Sequence, residues 1–372
     1  MKTLFWSCLF LVLFTYVGYP LWMFFRALFW PRPNRRGDIL PRVSMVLAAY
    51  NEEENLPNKL RNLSALDYPL ELLELVIVSD GSTDDTNNIL ASWRNPSSKI
   101  VILPEHRGKA IALNHGIAEA QGEIICFTDA RQTIAVDALK KLVANFADPS
   151  VGCVSGALMI GENPTVASSD GVGLYWRIER CTRNWEGLAG STVGATGAFY
   201  AVRKRLLLPL PPNTILDDVY IPFQVVRQGQ RVILDPRSLA WDHVTPGLRQ
   251  EFRRKVRTLT GNYQLLRLAP WLLTRVNPLR VQLVCHKLLR LVIPFALLGM
   301  LVSTVSLHRG LYELALVLQL AFYALATLRI FGSRVGFVSR LSSTSLAFVV
   351  LNTAAAVALI YFITGKKSVW VP

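Results

Sequence analysis

Four stretches of the chain are apolar for long enough to leave water altogether. Residues 4–29 (LFWSCLFLVLFTYVGYPLWMFFRALF) are interrupted only by Arg26 near the far end, enough to cross a hydrocarbon core of about 30 Å. Three further runs, about 283–306, 311–331 and 343–364, lie toward the other end, each near or above the roughly 20 residues a spanning helix needs. Between residues 40 and 245 there is none. The first run is longer than the apolar part of a signal peptide, carries aromatics throughout, and no small-residue cleavage pattern follows it before PRPNRRGD, so it reads as a retained anchor.

The middle of the chain alternates between strand-like and helix-like patterns. VSMVLAA ends at Tyr50-Asn51, EEENLPNKLRNL follows as a helix, and LELVIVSD returns as a strand. GSTDDTNNILASW, GKAIALNHGIAEAQ and VDALKKLVANF read as helices, and KIVILPE, GEIICFTDA and VGCVSGALMI as strands. Such alternation predicts a mainly parallel, doubly wound sheet whose ligands bind at the carboxyl ends of the strands. Three polar residues close apolar runs at those ends: Asn51, Asp80 and Asp129.

Several neighbouring acids have a structural reading. Asn51 with Glu54 has the form of a capping box, and Glu52 and Glu53 suit a helix start. Ser82 or Thr83 can cap the next helix, with Asp84 and Asp85 in its first turn, which leaves Asp80 as the acid without a local duty. Asp129 ends the apolar strand ICFT, where a carboxylate is costly to bury unless a cation or a hydroxyl donor meets it. Asp217 and Asp218 fall at a helix start after the Pro-rich PLPPNT, where either chemistry or capping would use them.

Charge adds a surface to this picture. The chain has 372 residues, 51% hydrophobic, with a net charge of +14. Arg249, Arg253, Arg254, Lys255, Arg257, Arg267, Arg275, Arg280, Lys287 and Arg290 face one acid, Glu251, so anionic head groups of membrane lipids or a phosphate-bearing ligand are the expected partners. Nucleic acid is not expected, because these charges adjoin lipid-spanning runs and carry few interleaved aromatics. The 5 cysteines show no metal-binding spacing and read as buried thiols. A transporter with a nucleotide-binding regulatory domain is disfavoured, since the spans lack midplane acids and no P-loop occurs.

The motifs AAYNEEENL, VIVSDGSTDDT, RGKAIALNHG, FTDA, GATGAFYAVR, LDDVYIPFQVVRQG and RQEFRRKVR occur in that order over about residues 43–264. Jointly they resemble the family 2 glycosyltransferases with a GT-A fold, and the terminal helices resemble those of the membrane-bound polysaccharide-synthesising branch. Taken with the apolar runs, this implies an α/β GT-A (Rossmann-like, mainly parallel) catalytic domain over 40–245 plus transmembrane α-helices: an anchor over 1–30 and about three helices over 283–372. A basic amphipathic interface segment over 246–282 lies between them, with GLRQEFRRKVRTLTGNYQLLRLAPWLL expected to be helical.

By resemblance, Ala49, Tyr50, Asn51, Asp80, Lys109 and Asp129 meet the nucleotide-sugar donor, Asp129 binds a divalent metal (Mg²⁺ or Mn²⁺), and Asp218 is the catalytic base; the charge of Arg131 places it at the donor too. Asp217, Gln250, Arg253 and Arg254 are expected at the acceptor or the diphosphate. Two departures stand out. The DxD triplet reads Asp129-Ala130-Arg131, and the QxxRW signature of processive enzymes survives only as Gln250-Glu251-Phe252-Arg253-Arg254. The guanidinium of Arg131 is expected to pair with Asp129, and His243 in WDHVTP is a candidate further metal ligand.

A departing diphosphate needs cation stabilisation rather than a protonated acid, so one carboxylate base with a metal predicts inversion at the anomeric carbon. The implied function is transfer of a sugar, from a UDP-sugar, to a lipid-linked or membrane-embedded acceptor in polysaccharide or glycolipid biosynthesis. A processive polysaccharide synthase and a catalytically inactive partner of a synthase are the alternatives. Arg32, Arg35 and Arg36 place residues 31–282 in the cytoplasm of a multi-pass protein, expected in a bacterial inner membrane. Counting four crossings puts Lys366 and Lys367 outside, against the same tendency.

Overall fold

The computed structural model describes residues 1–161, 172–242, 247–330 and 336–365. It opens with α1 (Lys2–Leu13) and α2 (Tyr19–Phe29), joined through a π-helical turn at Phe14–Gly18. The catalytic-side chain then runs β1 (Val43–Ala49), α3 (Leu56–Ser64), β2 (Leu73–Asp80), α4 (Thr86–Ser92), β3 (Ser98–Leu103), α5 (Lys109–Glu119), β4 (Ile124–Thr128) and β5 (Thr133–Ile134). It continues with α6 (Ala138–Val143), β6 (Val151–Ile160), α7 (Val172–Ala189), β7 (Phe199–Arg203), α8 (Asp217–Arg227) and β8 (Arg231–Asp242). After it come α9 (Leu248–Leu268), α10 (Arg280–Leu283), α11 (Leu289–Leu307), α12 (Leu311–Ile330) and α13 (Gly336–Thr364).

The eight strands form one sheet in the order β3-β2-β1-β4-β7-β6-β8-β5. The strands from β3 to β4 are parallel, whereas β7 is antiparallel to both its neighbours and β5 runs against β8. VSMVLAA and IICFT are almost wholly buried, as expected of central strands covered on both faces, which read as continuous apolar runs rather than alternating ones. Chain order reverses between β1 and β4, whose register pairs Leu47 with Thr128. The ends of these two strands, Tyr50 and Asp129, therefore open into the same crevice. Gly81 makes the turn after β2 possible: its φ is +65°, and a Cβ would lie 2.2 Å from the backbone of Glu105.

Among the described residues, four helical stretches are long and apolar enough to cross a membrane: Lys2–Phe29, Arg280–Leu307, Leu311–Arg329 and Leu341–Thr364. The expected amphipathic helix is α9, but it stops at Leu268, because Pro270 has no N–H to extend the ladder and disfavours helix in the residue before it. Its Val256 and Leu259 pack against Ala354, Ala355 and Ala358 of α13 and against Leu291 of α11. At the far end of this contact the Phe362 ring stacks on Tyr263 at 5.5 Å. The adjacent Gln264 accepts the backbone N–H of Ile215 at 3.0 Å.

Candidate active site

Two adjoining cavities of about 680 and 320 Å³ lie along the carboxyl ends of β1, β2 and β4, with Lys109, Asp129, Arg131, Gln132, Ile215, Arg254 and Arg257 in the walls of both. The larger is closed by Ala49, Tyr50, Asp80 and Gln250, the smaller by Asp217, Asp218, Lys287 and Leu351.

Asp80 has the local duty that the sequence did not reveal. Its carboxylate, 2% exposed, accepts the backbone N–H groups of Arg107 at 2.9 Å and Gly108 at 2.8 Å, and meets His106 Nδ1 at 2.9 Å. It thereby fixes the loop that delivers Lys109, while the His106 ring lies against Tyr50 with centroids 3.8 Å apart. Asn51 is a second correction. It has φ 51°, is exposed, and stands outside the cleft walls. The helix it was expected to cap begins only at Leu56, and its Oδ1 accepts the N–H of Thr83 at 2.9 Å. Glu53 and Asp84 brace the same two loops. Asp84, in place of Ser82 or Thr83, accepts the Thr86 N–H at 3.1 Å.

Lys109 Nζ lies 2.8 Å from Asp129 Oδ1 and 3.2 Å from Asp217 Oδ1. Burial disfavours its charge, but Asp129 and then Asp217 outweigh that and hold the amine above its ordinary range. Asp217, 3% exposed, lines the cavity, yet its oxygens are engaged by Lys109 and, at 3.4 Å, by the Tyr200 hydroxyl.

Asp218 sits beside it at the first turn of α8 with its carboxylate toward the cavity. One oxygen accepts the Gly197 N–H at 3.2 Å. A Cβ on Gly197 would come within 3.4 Å of Asp129 Oδ2 and 3.6 Å of Asp218 Oδ2, so a residue without a side chain keeps open the space onto which both carboxylates face. Burial, reinforced by the charge of Asp217 and opposed by Lys109, raises the Asp218 carboxyl to about 6.

Arg131 does not pair with Asp129, contrary to expectation. Its guanidinium donates to Asp242 Oδ2 at 2.6 Å, and Arg254 reaches the same oxygen at 3.3 Å. Lys109 already occupies Asp129, so the arginine turns to the acid at the end of β8. Arg254 and Gln250 line the cleft, whereas Arg253 is exposed and outside its walls. His243 lies outside the described residues.

A family model described as "Glycosyl transferase family 2" matches residues 44–208, the segment that carries Asp80, Lys109, Asp129 and Gly197. Residues 44–208 are thus a glycosyl transferase family 2 domain. Over 240 residues, 63% of this chain and 58% of the relative, it is 28% identical to the poly-beta-1,6-N-acetyl-D-glucosamine synthase of Staphylococcus aureus (strain COL). The corresponding synthase of Staphylococcus epidermidis is 29% identical over 229 residues, 60% of this chain and 55% of that protein. The chain thus spans little more than half the length of these curated relatives. A mannosyltransferase from Pyrobaculum calidifontis, solved in complex with GDP-Man and Mn²⁺, has the same fold, with a TM-score of 0.75 and 24% identity over 98% of this chain and 100% of its own.

Some residues of this family 2 site gave little warning in the sequence. Gln132 Oε1 and Asp242 Oδ1 are buried in the cavity wall without a hydrogen-bond partner. Lys59, 2% exposed, donates to Thr128 Oγ1 at 2.7 Å and to the Gln132 carbonyl at 2.8 Å, and burial lowers its amine to about 7. Its signal was present: Lys59 stands on the buried stripe of α3 with Leu56, Leu60 and Leu63. A fourth group ties the site to the apolar helices. The wholly buried His286 bridges Glu186 at 2.7 Å and Glu179 at 3.0 Å, Arg290 and Arg183 also meet Glu179, and Tyr19 of α2 donates to Glu186.

Proposed function

We propose that the protein is an inverting glycosyltransferase that moves a sugar from a nucleotide-sugar donor, a UDP-sugar, to a membrane-associated, lipid-linked acceptor. The observation that carries this is Asp218: a half-buried carboxylate, raised to about 6, which shares the space around Gly197 with Asp129 in a cavity rich in cations. Such a group is ionised at neutral pH, yet basic enough to take a proton from an acceptor hydroxyl. With Asp218 as base and Asp129 and Asp217 held by Lys109, attack from the face opposite the departing diphosphate inverts the anomeric carbon. Lys109 pairs with Asp129 and Asp217 and adds positive charge where the diphosphate develops its own.

Oxygen donors of the kind a divalent cation takes line this cleft. Asp129 Oδ2, Gln132 Oε1 and Asp242 Oδ1 are oxygen donors in one cleft wall, the last two buried and unpaired, and Mg²⁺ and Mn²⁺ favour such hard ligands. These residues would hold it, and the ion would neutralise the donor diphosphate. The Mn²⁺ of the archaeal mannosyltransferase supports the same reading. The sugars point two ways, mannose in the GDP-Man of that structure and N-acetylglucosamine in the polymer of the staphylococcal names. The degraded QxxRW favours single transfer over processive extension.

The site faces the cytoplasm on this reading, by the cations that flank the first and second apolar runs. The contact of Phe362 with α9 argues that the end of α13 lies on that same side, unlike the four-crossing count.

Binding and turnover across a panel of UDP- and GDP-sugars test the proposal. One donor is expected to bind and to be consumed with the anomeric configuration inverted in the product. Absence of turnover with every donor and acceptor would assign the chain to the inactive-partner alternative.

A further inference from the structure

The helix that presents Asp218 starts without a capping side chain. Leu216 stands at the N-cap of α8 and no side-chain oxygen accepts there, although a polar side chain at that position is the usual way to fix a helix start. Two residues of α9 supply the missing support. The amide of Gln264 spends both its ends on the loop before α8, Oε1 accepting the Ile215 N–H at 3.0 Å and Nε2 donating to the Asn213 carbonyl at 2.7 Å. Three residues earlier, on the same helix face, Gly261 lets α9 come close. A Cβ there would lie 2.6 Å from Leu216 Cγ and 3.1 Å from Ile215 Cγ2. Glycine inside a helix of 21 residues weakens it relative to alanine, and this close approach is what its absent side chain permits.

The grip reaches the aspartates directly. The Leu216 carbonyl accepts the N–H groups of Val219 at 3.2 Å and Tyr220 at 2.9 Å, which opens α8, and the Asp218 carbonyl accepts the Ala195 N–H at 2.7 Å. Ile215, held by Gln264, belongs to the walls of both cavities. α9 is itself braced elsewhere along its length, where Val256 and Leu259 pack on Leu291 of α11 and on Ala354, Ala355 and Ala358 of α13. A helix seated on the apolar stretches therefore sets where the Asp218 carboxylate stands.

We infer that Gln264 and Gly261 are positioning residues for Asp218, holding residues 213–216 so that the carboxylate is in line with the acceptor hydroxyl it deprotonates. The inference rests on the glycosyltransferase reading and adds to it the residues that aim the base. Neither residue touches the reacting atoms. A role in stability alone would lower donor binding and transfer together, and would do so whether or not residue 218 can take a proton. A role through Asp218 lowers transfer only while the base is there to be aimed.

The test uses membranes carrying the full-length protein and whichever radiolabelled UDP- or GDP-sugar the donor panel shows to be consumed, with affinity for the same donor measured on purified protein. Gln264→Ala, which deletes two hydrogen bonds, should lower kcat by about tenfold. Gly261→Ala should lower it by about 10²-fold, the order of loss for a displacement near 1 Å that originates away from the chemistry. Donor affinity should move far less than kcat in both, which also shows that the variants fold. In an Asp218→Asn background the same two substitutions should cost almost nothing further, because residues that act through one group are not additive with its loss. Equal losses with and without Asp218, or a fall in donor affinity as large as the fall in kcat, overturn the inference while transfer by the parent stands. A parent protein that consumes no member of the panel would overturn the glycosyltransferase reading instead.

Discussion

Asp129 and Arg131 show how far a single residue can be read from its motif. The sequence placed Asp129 at the end of a buried strand and in need of a cation. The cation turned out to be Lys109 at 2.8 Å, which a motif reading could assign only to the donor. Arg131 was expected to pair with its near neighbour and instead reaches Asp242, 111 residues away, a contact that depends on how β8 lies across the sheet. If Asp129, Gln132 and Asp242 hold the metal, Gln132→Ala and Asp242→Asn should each weaken Mn²⁺ binding by about tenfold or more, read by the paramagnetic resonance of free Mn²⁺ with nucleotide present. Chelator should abolish transfer in the parent protein, and Arg131→Ala should retain metal dependence. Full activity in excess chelator, lost on Arg131→Ala, would show that the arginine does the work of the ion.

At the scale of elements, β1, β2, β4 and β6 were legible because their apolar runs are largely buried, and β3, at the sheet edge, because it alternates with helical patterns. β5, β7 and β8 were not. β5 is two residues long, and the antiparallel insertion of β7 between β4 and β6 is a tertiary choice with no local signature. The strand-end polar residues were recognised, but their division of labour was not: Asp80 and Asn51 secure neighbouring loops through backbone donors, which carry no side-chain pattern to read. The apolar helices were equally plain in composition, and their direction was not. Because Phe362 stacks on Tyr263 beside the catalytic side of α9, a reporter fused after Pro372 should read cytoplasmic, in line with Lys366 and Lys367. A reporter that reads the opposite compartment would restore the four-crossing arrangement.

For the whole molecule, the sheet, the apolar helices and the polar cluster around His286 act as one frame. Glu179 and Glu186 of α7 bind His286 and Arg290 from the apolar stretch Arg280–Leu307, and Tyr19 from the first. Two of these residues, Glu179 and Arg290, also line the Asp218 cavity. Removing one partner from such a buried set leaves a charge without compensation, so the membrane helices and the site are held in register by the same bonds. On the proposed function, that coupling would keep the site beside the apolar helices, with Asp218 as the proposed point where donor and acceptor converge.

The most direct test of that claim is transfer by Asp218→Asn, measured together with donor affinity across pH. The parent enzyme needs Asp218 ionised, so kcat/KM should rise as pH increases through about 6 and then level off. Asparagine keeps the size and the oxygen that accepts the Gly197 N–H, but cannot take a proton. Transfer should therefore fall by roughly 10²- to 10⁴-fold and lose that rise, with donor binding nearly unchanged. A variant that transfers sugar at close to the parent rate, with the same pH profile, would contradict the account.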